Sequence, residues 1–234
     1  MTIQLQPALR IIAALATVGF SFLAQSASAQ TPFYQASAQE LTGSPGTLIR
    51  SEPMAFAPVG AQAWRILYRS TGLEGQPIAV SGVAVIPAGE PPANGRPIVA
   101  WAHPTTGVVP HCAPSLALFV FQQMMGLRPL IERGAVVVAT DYPGLGTAGP
   151  HPYLVGTSEG RAVLDSVRAA RMLRGSGGAR SFAVWGHSQG GHAALYTGLL
   201  AKTYAPELQS AQMPTNADGQ VDAATKAAKK PAIE

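Results

Sequence analysis

The chain contains 234 residues, of which 47% are hydrophobic and only 12% are charged. This length supports one sizeable hydrophobic core, and the composition excludes an intrinsically disordered protein. The formal net charge is +4, and part of the positive charge is clustered near the C-terminus, at Lys226, Lys229 and Lys230. No basic stripe with interleaved aromatic residues occurs elsewhere, so we expect no nucleic-acid partner.

The first 29 residues have the pattern of a signal peptide. Arg10 precedes an apolar run at 11–23, and Ala27-Ser28-Ala29 forms a small-x-small cleavage pattern. The alternative is a membrane anchor, but the apolar run is shorter than the ~20 residues that a spanning helix needs. We therefore predict cleavage near Ala29 and a secreted or periplasmic mature chain.

The elements that follow alternate between strands and helices. Residues 30–58 are rich in Gly, Pro and small polar residues and predict an extended lead-in. Short apolar runs bounded by turn residues predict five strands, at 64–69, 78–86, 97–102, 135–140 and 182–185. Apolar and capping patterns predict helices at 116–133 and 157–173, the second capped by Thr157 with Glu159 in its first turn. A hairpin followed by alternating strands and helices predicts an α/β fold whose mostly parallel sheet is covered by helices on both faces.

The last predicted strand leads into a G-x-S-x-G motif, Gly186-His187-Ser188-Gln189-Gly190. A motif this short also occurs by chance, but here a strand precedes it and a helix follows it, as a nucleophile elbow requires. Gly186 and Gly190 leave room for the strained turn at Ser188, and we expect Gly191 to let the helix lie close to the sheet. The turn would present the Ser188 hydroxyl at a helix N-terminus, where developing negative charge is favoured.

Five segments in order give the chain a closer likeness. They are 101–107 (WAHPTTG), 112–115 (CAPS), 141–146 (DYPGLG), 186–193 (GHSQGGHA) and 204–208 (YAPEL). On these segments the chain resembles the N-terminal half of an α/β-hydrolase, and more narrowly the secretory lipases of the Candida antarctica lipase A type. The resemblance covers roughly residues 46–208. It implies a carboxylic ester hydrolase that acts on acylglycerols or other lipid esters through an acyl-enzyme.

The resemblance also implies two hydrogen-bond donors for an oxyanion. In this fold one donor is the backbone N–H of the residue after the nucleophile, here Gln189, and the other lies in the loop after the third predicted strand. We assign the second donor to the backbone N–H of Thr106, with its hydroxyl as an additional candidate. The alternative is that residues 103–107 form a plain tight turn.

The histidine of a catalytic triad is not found where the fold requires it, on the C-terminal side of the serine. The only histidine after Ser188 is His192, which lies one helical turn away and would be a poor base. We expect His187 to point away from the site. Three other histidines precede the serine on loops: His103 and His151 at the sheet edge that carries the elbow, and His111 at the surface.

The acid of the triad is not assigned either. We expect Asp141 to tie down the turn after the fourth strand and Asp165 to be solvated on its helix, while Asp218 and Asp222 lie in a polar tail at 209–234. Secretory lipases continue past this point with further strands, the acid and the histidine. The chain therefore resembles a C-terminally truncated member, with a core at 30–208, a disordered tail and a sheet that ends near the elbow strand.

Cys112 is the only cysteine of the chain. In an exported protein it is either a buried free thiol or half of a disulfide whose partner is absent. No metal-ligand spacing involves it, so it is not a catalytic candidate, and we expect neither a metal nor an organic cofactor.

These patterns favour an exported serine ester hydrolase with a lipid or other ester substrate and transient contact with a lipid surface. Without the triad base, the chain by itself should turn over very slowly. One alternative is a serine peptidase of the prolyl-oligopeptidase type, because residues 186–191 also fit G-x-S-x-G-G. The other is a non-catalytic remnant that folds poorly or binds a partner.

Overall fold

The computed structural model describes residues 32–210, so the predicted signal peptide and all but the first two residues of the predicted tail lie outside it. Seven strands form one sheet: β1 (Leu48–Pro53), β2 (Ala61–Thr71), β3 (Pro77–Pro87), β4 (Arg96–Ala102), β5 (Val136–Thr140), β6 (Gly178–Gly186) and β7 (Gln209–Ser210). The helices are α1 (Val120–Gln123), α2 (Leu127–Glu132), α3 (Gly156–Met172) and α4 (Gln189–Tyr204). Among the described residues, no helix has the length and apolar character needed to cross a membrane.

The sheet has an antiparallel half and a parallel half. Its strand order is β1-β2-β3-β5-β4-β6-β7. The pairings β1–β2, β2–β3 and β3–β5 are antiparallel, whereas β5–β4, β4–β6 and β6–β7 are parallel. The predicted α/β sheet is confirmed, and its parallel character belongs to the half that carries the elbow.

Both ends of the sheet extend beyond the prediction. β1 lies within the segment 30–58, which is predicted as an extended lead-in. It is an edge strand without a buried residue, so its sequence lacks the apolar run that predicts a strand. At the other end, β7 pairs with β6 through Ser181↔Gln209 and Phe182↔Ser210, so the sheet does not end at the elbow strand. A two-residue strand needs only backbone hydrogen bonds, and polar residues can supply them.

Helices cover both faces, as predicted. Val136 and Val138 of β5 pack with α3 and α4, while Val137 and Ala139, on the opposite face, pack with α1 and α2. This alternation is the two-residue period of a strand. Because both faces are buried, β5 is apolar from Val136 to Ala139, and the hydroxyl of its last residue, Thr140, accepts a hydrogen bond from the Tyr68 hydroxyl at 2.6 Å.

The helix predicted at 116–133 is wrong in its length. The segment forms a short 3-10 turn at Pro114–Leu116 and two short helices, α1 and α2. Gly126 separates the helices with φ of +78°, a left-handed conformation that a continuous helix cannot contain. The helix predicted at 157–173 is confirmed as α3, but Val155 occupies the cap position without a side-chain capping bond, so Thr157 is not the cap.

Two glycines allow the N-terminus of α4 to rest on the end of β4. A Cβ on Gly190 would lie 1.9 Å from the carbonyl oxygen of Ala102, and one on Gly186 would lie 2.0 Å from that of Gly190. A Cβ on Gly191 would lie 3.8 Å from its nearest neighbour, the carbonyl oxygen of Gly186, which is an ordinary contact. The expectation for Gly191 is therefore wrong, and the close approach depends on Gly186 and Gly190.

Buried aspartates fix the loops and helices around this sheet. Asp141, directly after β5, accepts the backbone N–H of Ser115 at 2.9 Å and the hydroxyl of Ser81 at 2.6 Å, and it also accepts the Ser115 hydroxyl. It thus ties down its turn as expected, and burial raises its pKa to about 6. Asp165 was expected to be solvated, but it is fully buried and accepts bonds from Ser70, Tyr204 and Arg168, because its face of α3 packs on β2 and α4.

Asp141 makes the stability depend on pH. An unfolded aspartate has a pKa of ~3.9, so between that value and about 6 the folded state binds more protons and the free energy of unfolding falls as pH rises. In Asp141→Asn, whose amide oxygen can still accept the Ser115 N–H, a decrease of about 2 kcal/mol between roughly pH 4.5 and pH 7 should disappear. Urea unfolding at several pH values measures this difference, and equal pH slopes for the two proteins would contradict it.

The two elbow-helix glycines should respond oppositely to alanine. Gly190→Ala should lower the free energy of unfolding by about 2–3 kcal/mol, because its Cβ would overlap the Ala102 carbonyl. Gly191→Ala should leave stability unchanged or raise it by about 0.5–1 kcal/mol through helix propensity. Thermal and urea unfolding of both variants test this, and equal effects would refute the assigned close approach.

Candidate active site

Ser188 lies in the strained turn that a nucleophile elbow requires. β6 ends at Gly186, α4 begins at Gln189, and Ser188 between them has φ of +55° and ψ of −121°. A non-glycine residue with positive φ costs energy, and such strain is typical of functional positions. The side chain is exposed, and its hydroxyl has no hydrogen-bond partner among residues 32–210. It is therefore free to approach an external group.

The two predicted oxyanion donors lie on segments that meet at the elbow. Gln189 is the first residue of α4, so its backbone N–H has no carbonyl partner within the helix. Thr106 is exposed in the loop after β4, and the start of that loop is in contact with Gly190. The roles of Gln189 and Thr106 as donors stay predictions.

A buried ring pair supports the start of the loop that carries Thr106. His103 is fully buried, with Nδ1 2.6 Å from the carbonyl oxygen of Pro104 and Nε2 3.2 Å from that of Asp141. Burial lowers its pKa to about 4, so the ring is neutral at physiological pH. Its ring centroid lies 4.3 Å from that of Tyr142, whose hydroxyl donates to the His103 carbonyl at 3.2 Å. His103 is therefore part of the loop's support and not a base for Ser188.

The remaining loop histidines also make no hydrogen bond to the Ser188 hydroxyl. His151 has Nδ1 2.8 Å from the carbonyl oxygen of Pro143, and its ring stands between those of Tyr142 and Tyr153. The Tyr153 hydroxyl bonds to the Thr105 hydroxyl at 3.0 Å, which joins the loops after β4 and β5. His111 and His187 are exposed, and within the described range no histidine side chain is hydrogen-bonded to the Ser188 hydroxyl.

Cys112 packs against the same loop. Its thiol is free and partly buried. Gly107 has φ of +136°, and a Cβ there would lie 2.3 Å from the Cys112 sulfur. The thiol thus fills the space beside the predicted oxyanion loop. Within residues 32–210, no group of three or more His, Cys, Asp and Glu side chains could hold a metal ion.

Sequence reasoning missed the surroundings of Glu159. Its position in the first turn of α3 is as predicted, but the side chain is fully buried and accepts bonds from Gln189 Nε2 at 2.8 Å and His192 Nδ1 at 2.7 Å. His192, expected to be a poor base, is therefore held by a carboxylate. The signal in the sequence was the flanking glycines, because α4 occupies the space that a Cβ on Gly156 or Gly160 would need.

Comparison with known proteins places this geometry in a family. The family profile described as Secretory lipase matches residues 111–230. A relative named "Probable inactive lipase" from Mycobacterium tuberculosis is 28% identical, and the match covers 76% of this chain and 42% of that protein. The chain thus spans less than half the length of this relative.

Solved structures of a lipase and an esterase are also similar to this chain. Candida antarctica lipase A in its closed state has a TM-score of 0.63 with 26% identity, over 76% of this chain and 44% of that chain. The rice cell wall degrading esterase LipA from Xanthomonas oryzae has a TM-score of 0.60 with 27% identity, over 72% of this chain and 49% of that chain. Together with the matching profile, these similarities show that the chain belongs to the secretory lipase family, with an α/β-hydrolase fold.

Proposed function

We propose that the chain carries the nucleophile and the oxyanion donors of an exported serine ester hydrolase that acts on lipid esters. The observation that carries this proposal is the exposed Ser188 in a strained turn at the N-terminus of α4. Membership of the secretory lipase family and the likeness to a lipase and an esterase support it. Membership of the secretory lipase family also supports export of this chain.

The reaction would proceed through an acyl-enzyme. Ser188 Oγ attacks the acyl carbon, the carbonyl electron pair moves onto oxygen, and the backbone N–H groups of Gln189 and Thr106 stabilise that oxyanion. Collapse breaks the ester C–O bond, and the departing alkoxide takes up the proton that Ser188 lost; water then adds to the acyl carbon, releases the carboxylic acid and returns a proton to Ser188 Oγ. Deprotonating Ser188 requires a base, and the histidines of residues 32–210 are bonded elsewhere or exposed. We therefore expect the 234-residue chain alone to show only the residual rate that oxyanion stabilisation and binding provide.

The surface around the predicted oxyanion loop suits an apolar acyl group. Large apolar side chains are exposed on the loops after β4 and β5, at Val108, Leu118, Phe119 and Leu154. The carboxyl ends of neighbouring parallel strands lie at one sheet edge, so these loops share the edge with the elbow. A surface of this kind supports lipid esters as substrates and transient contact with a lipid surface.

Two alternatives are separable from this proposal. A serine peptidase of the prolyl-oligopeptidase type would use the same elbow, but the similar structures named above are a lipase and an esterase. A non-catalytic protein is favoured by one observation, the relative named "Probable inactive lipase". Reactivity of Ser188 and the choice between esters and amides decide among the three.

A fluorophosphonate probe should label the folded chain once, at Ser188. The reason is that its exposed hydroxyl lies beside the backbone N–H of Gln189, the first residue of α4, which would favour the charged phosphonyl oxygen. Ser188→Ala should abolish labelling, while Ser51→Ala, which alters an exposed serine on β1, should not. Mass spectrometry of the labelled peptides measures both. Absence of labelling in the folded wild-type chain would favour the non-catalytic alternative.

The chain should hydrolyse p-nitrophenyl esters and triolein above the buffer background, and peptide amides should remain intact. An enhancement of about 10³–10⁴-fold over water is expected for a site that has oxyanion donors but no triad base. Initial rates of wild type and Ser188→Ala on each substrate class provide the measurement. Cleavage of peptide amides at comparable rates would favour the peptidase instead.

A further inference from the structure

A carboxylate that the proposed mechanism does not use lies against the first turn of α4. Glu159 is fully buried, and within the described residues its only ion-pair partner is the imidazole of His192. Burying a carboxylate costs several kcal/mol unless hydrogen bonds compensate for the lost water. The bonds that Glu159 accepts therefore indicate what it holds in place.

Both bonds go to residues that are themselves attached to Ser188. Gln189, whose Nε2 donates to Oε1 of Glu159 at 2.8 Å, directly follows the serine. His192, whose Nδ1 lies 2.7 Å from Oε2, also donates its backbone N–H to the Ser188 carbonyl at 3.1 Å. Glu159 thus bridges the two ends of the turn that begins at the nucleophile.

The position of Glu159 is fixed by close packing between α3 and α4. A Cβ on Gly156 would lie 2.1 Å from the ring of Tyr196, and one on Gly160 would lie 3.1 Å from the backbone nitrogen of Thr197. The Tyr196 ring also contacts that of His192, with centroids 4.8 Å apart. The carboxylate is therefore presented to α4 from a rigid support.

Glu159 also lies close to the support of the other predicted donor. Burial and then the charge of Glu159 raise the pKa of Tyr142 above its ordinary range. Tyr142 donates to the carbonyl of His103, where the loop that carries Thr106 begins. The charge of Glu159 therefore acts on a residue that supports the loop of the second predicted donor.

We propose that Glu159 is a positioning residue of the oxyanion hole. By accepting bonds from Gln189 and His192, it fixes the first turn of α4 and with it the direction of the Gln189 backbone N–H relative to Ser188. This inference rests on the proposed function. A residue of this kind affects stabilisation of the transition state and leaves substrate binding unchanged.

Three variants separate positioning from a merely structural role. Glu159→Ala removes both bonds to α4. Glu159→Gln can restore both bonds. Its amide oxygen can accept from His192, and its amide nitrogen can donate to Gln189 Oε1 if the Gln189 amide flips. That oxygen is buried without a hydrogen-bond partner in the described structure. Asp165→Asn is the matched control, since Asp165 is another fully buried carboxylate on α3 but bonds to Ser70, Tyr204 and Arg168.

Hydrolysis of p-nitrophenyl butyrate, well below the melting temperature of each variant, is the first measurement. Glu159→Ala should lower kcat by about 10- to 100-fold with KM unchanged, as expected for a displaced catalytic group. Glu159→Gln should recover most of that loss, and Asp165→Asn should lower Tm without lowering kcat. An unchanged kcat in Glu159→Ala, or a Gln variant as impaired as the Ala variant, would overturn the inference.

Amide hydrogen exchange gives a second readout that needs no turnover. Exchange in residues 189–192 should accelerate in Glu159→Ala and remain as in wild type in Glu159→Gln and Asp165→Asn; equal rates in wild type and Glu159→Ala would overturn the inference. If Glu159→Ala fails to fold, Gln189→Met, which removes one of the two bonds from the side of α4, takes its place. Fluorophosphonate labelling keeps the two proposals apart: if Ser188 of the folded wild-type chain is not labelled, the proposed function fails, while exchange still reports whether Glu159 holds the turn.

Discussion

The contact between Gly190 and the carbonyl of Ala102 is the constraint on which the rest of the site depends. β4 and β6 are paired in parallel so that Ala102 lies opposite Gly186, and the chain must then turn and start a helix on top of β4. Only residues without a side chain fit at Gly186 and Gly190. The strain at Ser188 results from this turn. The parallel pairing of β4 with β5 fixes the position of β4, against which the turn packs.

Buried acids connect this framework to segments that are distant in the chain. Asp141 joins the end of β5 to β3 and to the segment around Ser115. Asp165 joins α3 to β2 and to the end of α4. Glu159 joins α3 to the start of α4. In each case a desolvated carboxylate is compensated by several donors, so the network orients whole elements and not only side chains.

The sequence predicts those features of the fold that have a local physical signal. The buried strands around Val83, Ala100 and Val137 are apolar on both faces, and the elbow follows from two glycines at fixed spacing around a serine. β1 could not be found in this way, because an exposed edge strand needs no apolar pattern. The break at Gly126 was missed because apolar spacing continues across it, although the left-handed backbone of Gly126 ends the helix there.

The sequence predicts the backbone turn of the candidate site but not the buried side chains that pack around it. Ser188 and Gln189 are assigned by the motif alone, whereas the burial of Glu159 and Asp165 depends on how α3 packs against α4 and β2. Acidic residues in a helix are exposed more often than buried, so the sequence predicts a solvated Asp165 and gives no buried partner for Glu159. Only the tertiary contact between the helices shows that they are enclosed.

The division of the sheet into two halves has a consequence for the order of assembly. β2 and β3 are joined by a tight hairpin, so their pairing closes a short loop. The parallel pairings of β4 with β5 and β6 must instead bring together residues separated by whole helices, and the entropic cost of such closures slows folding. We infer that the hairpin forms early and that the edge bearing Ser188 is completed among the last parts of the domain, so conditions that slow folding should expose this edge longest.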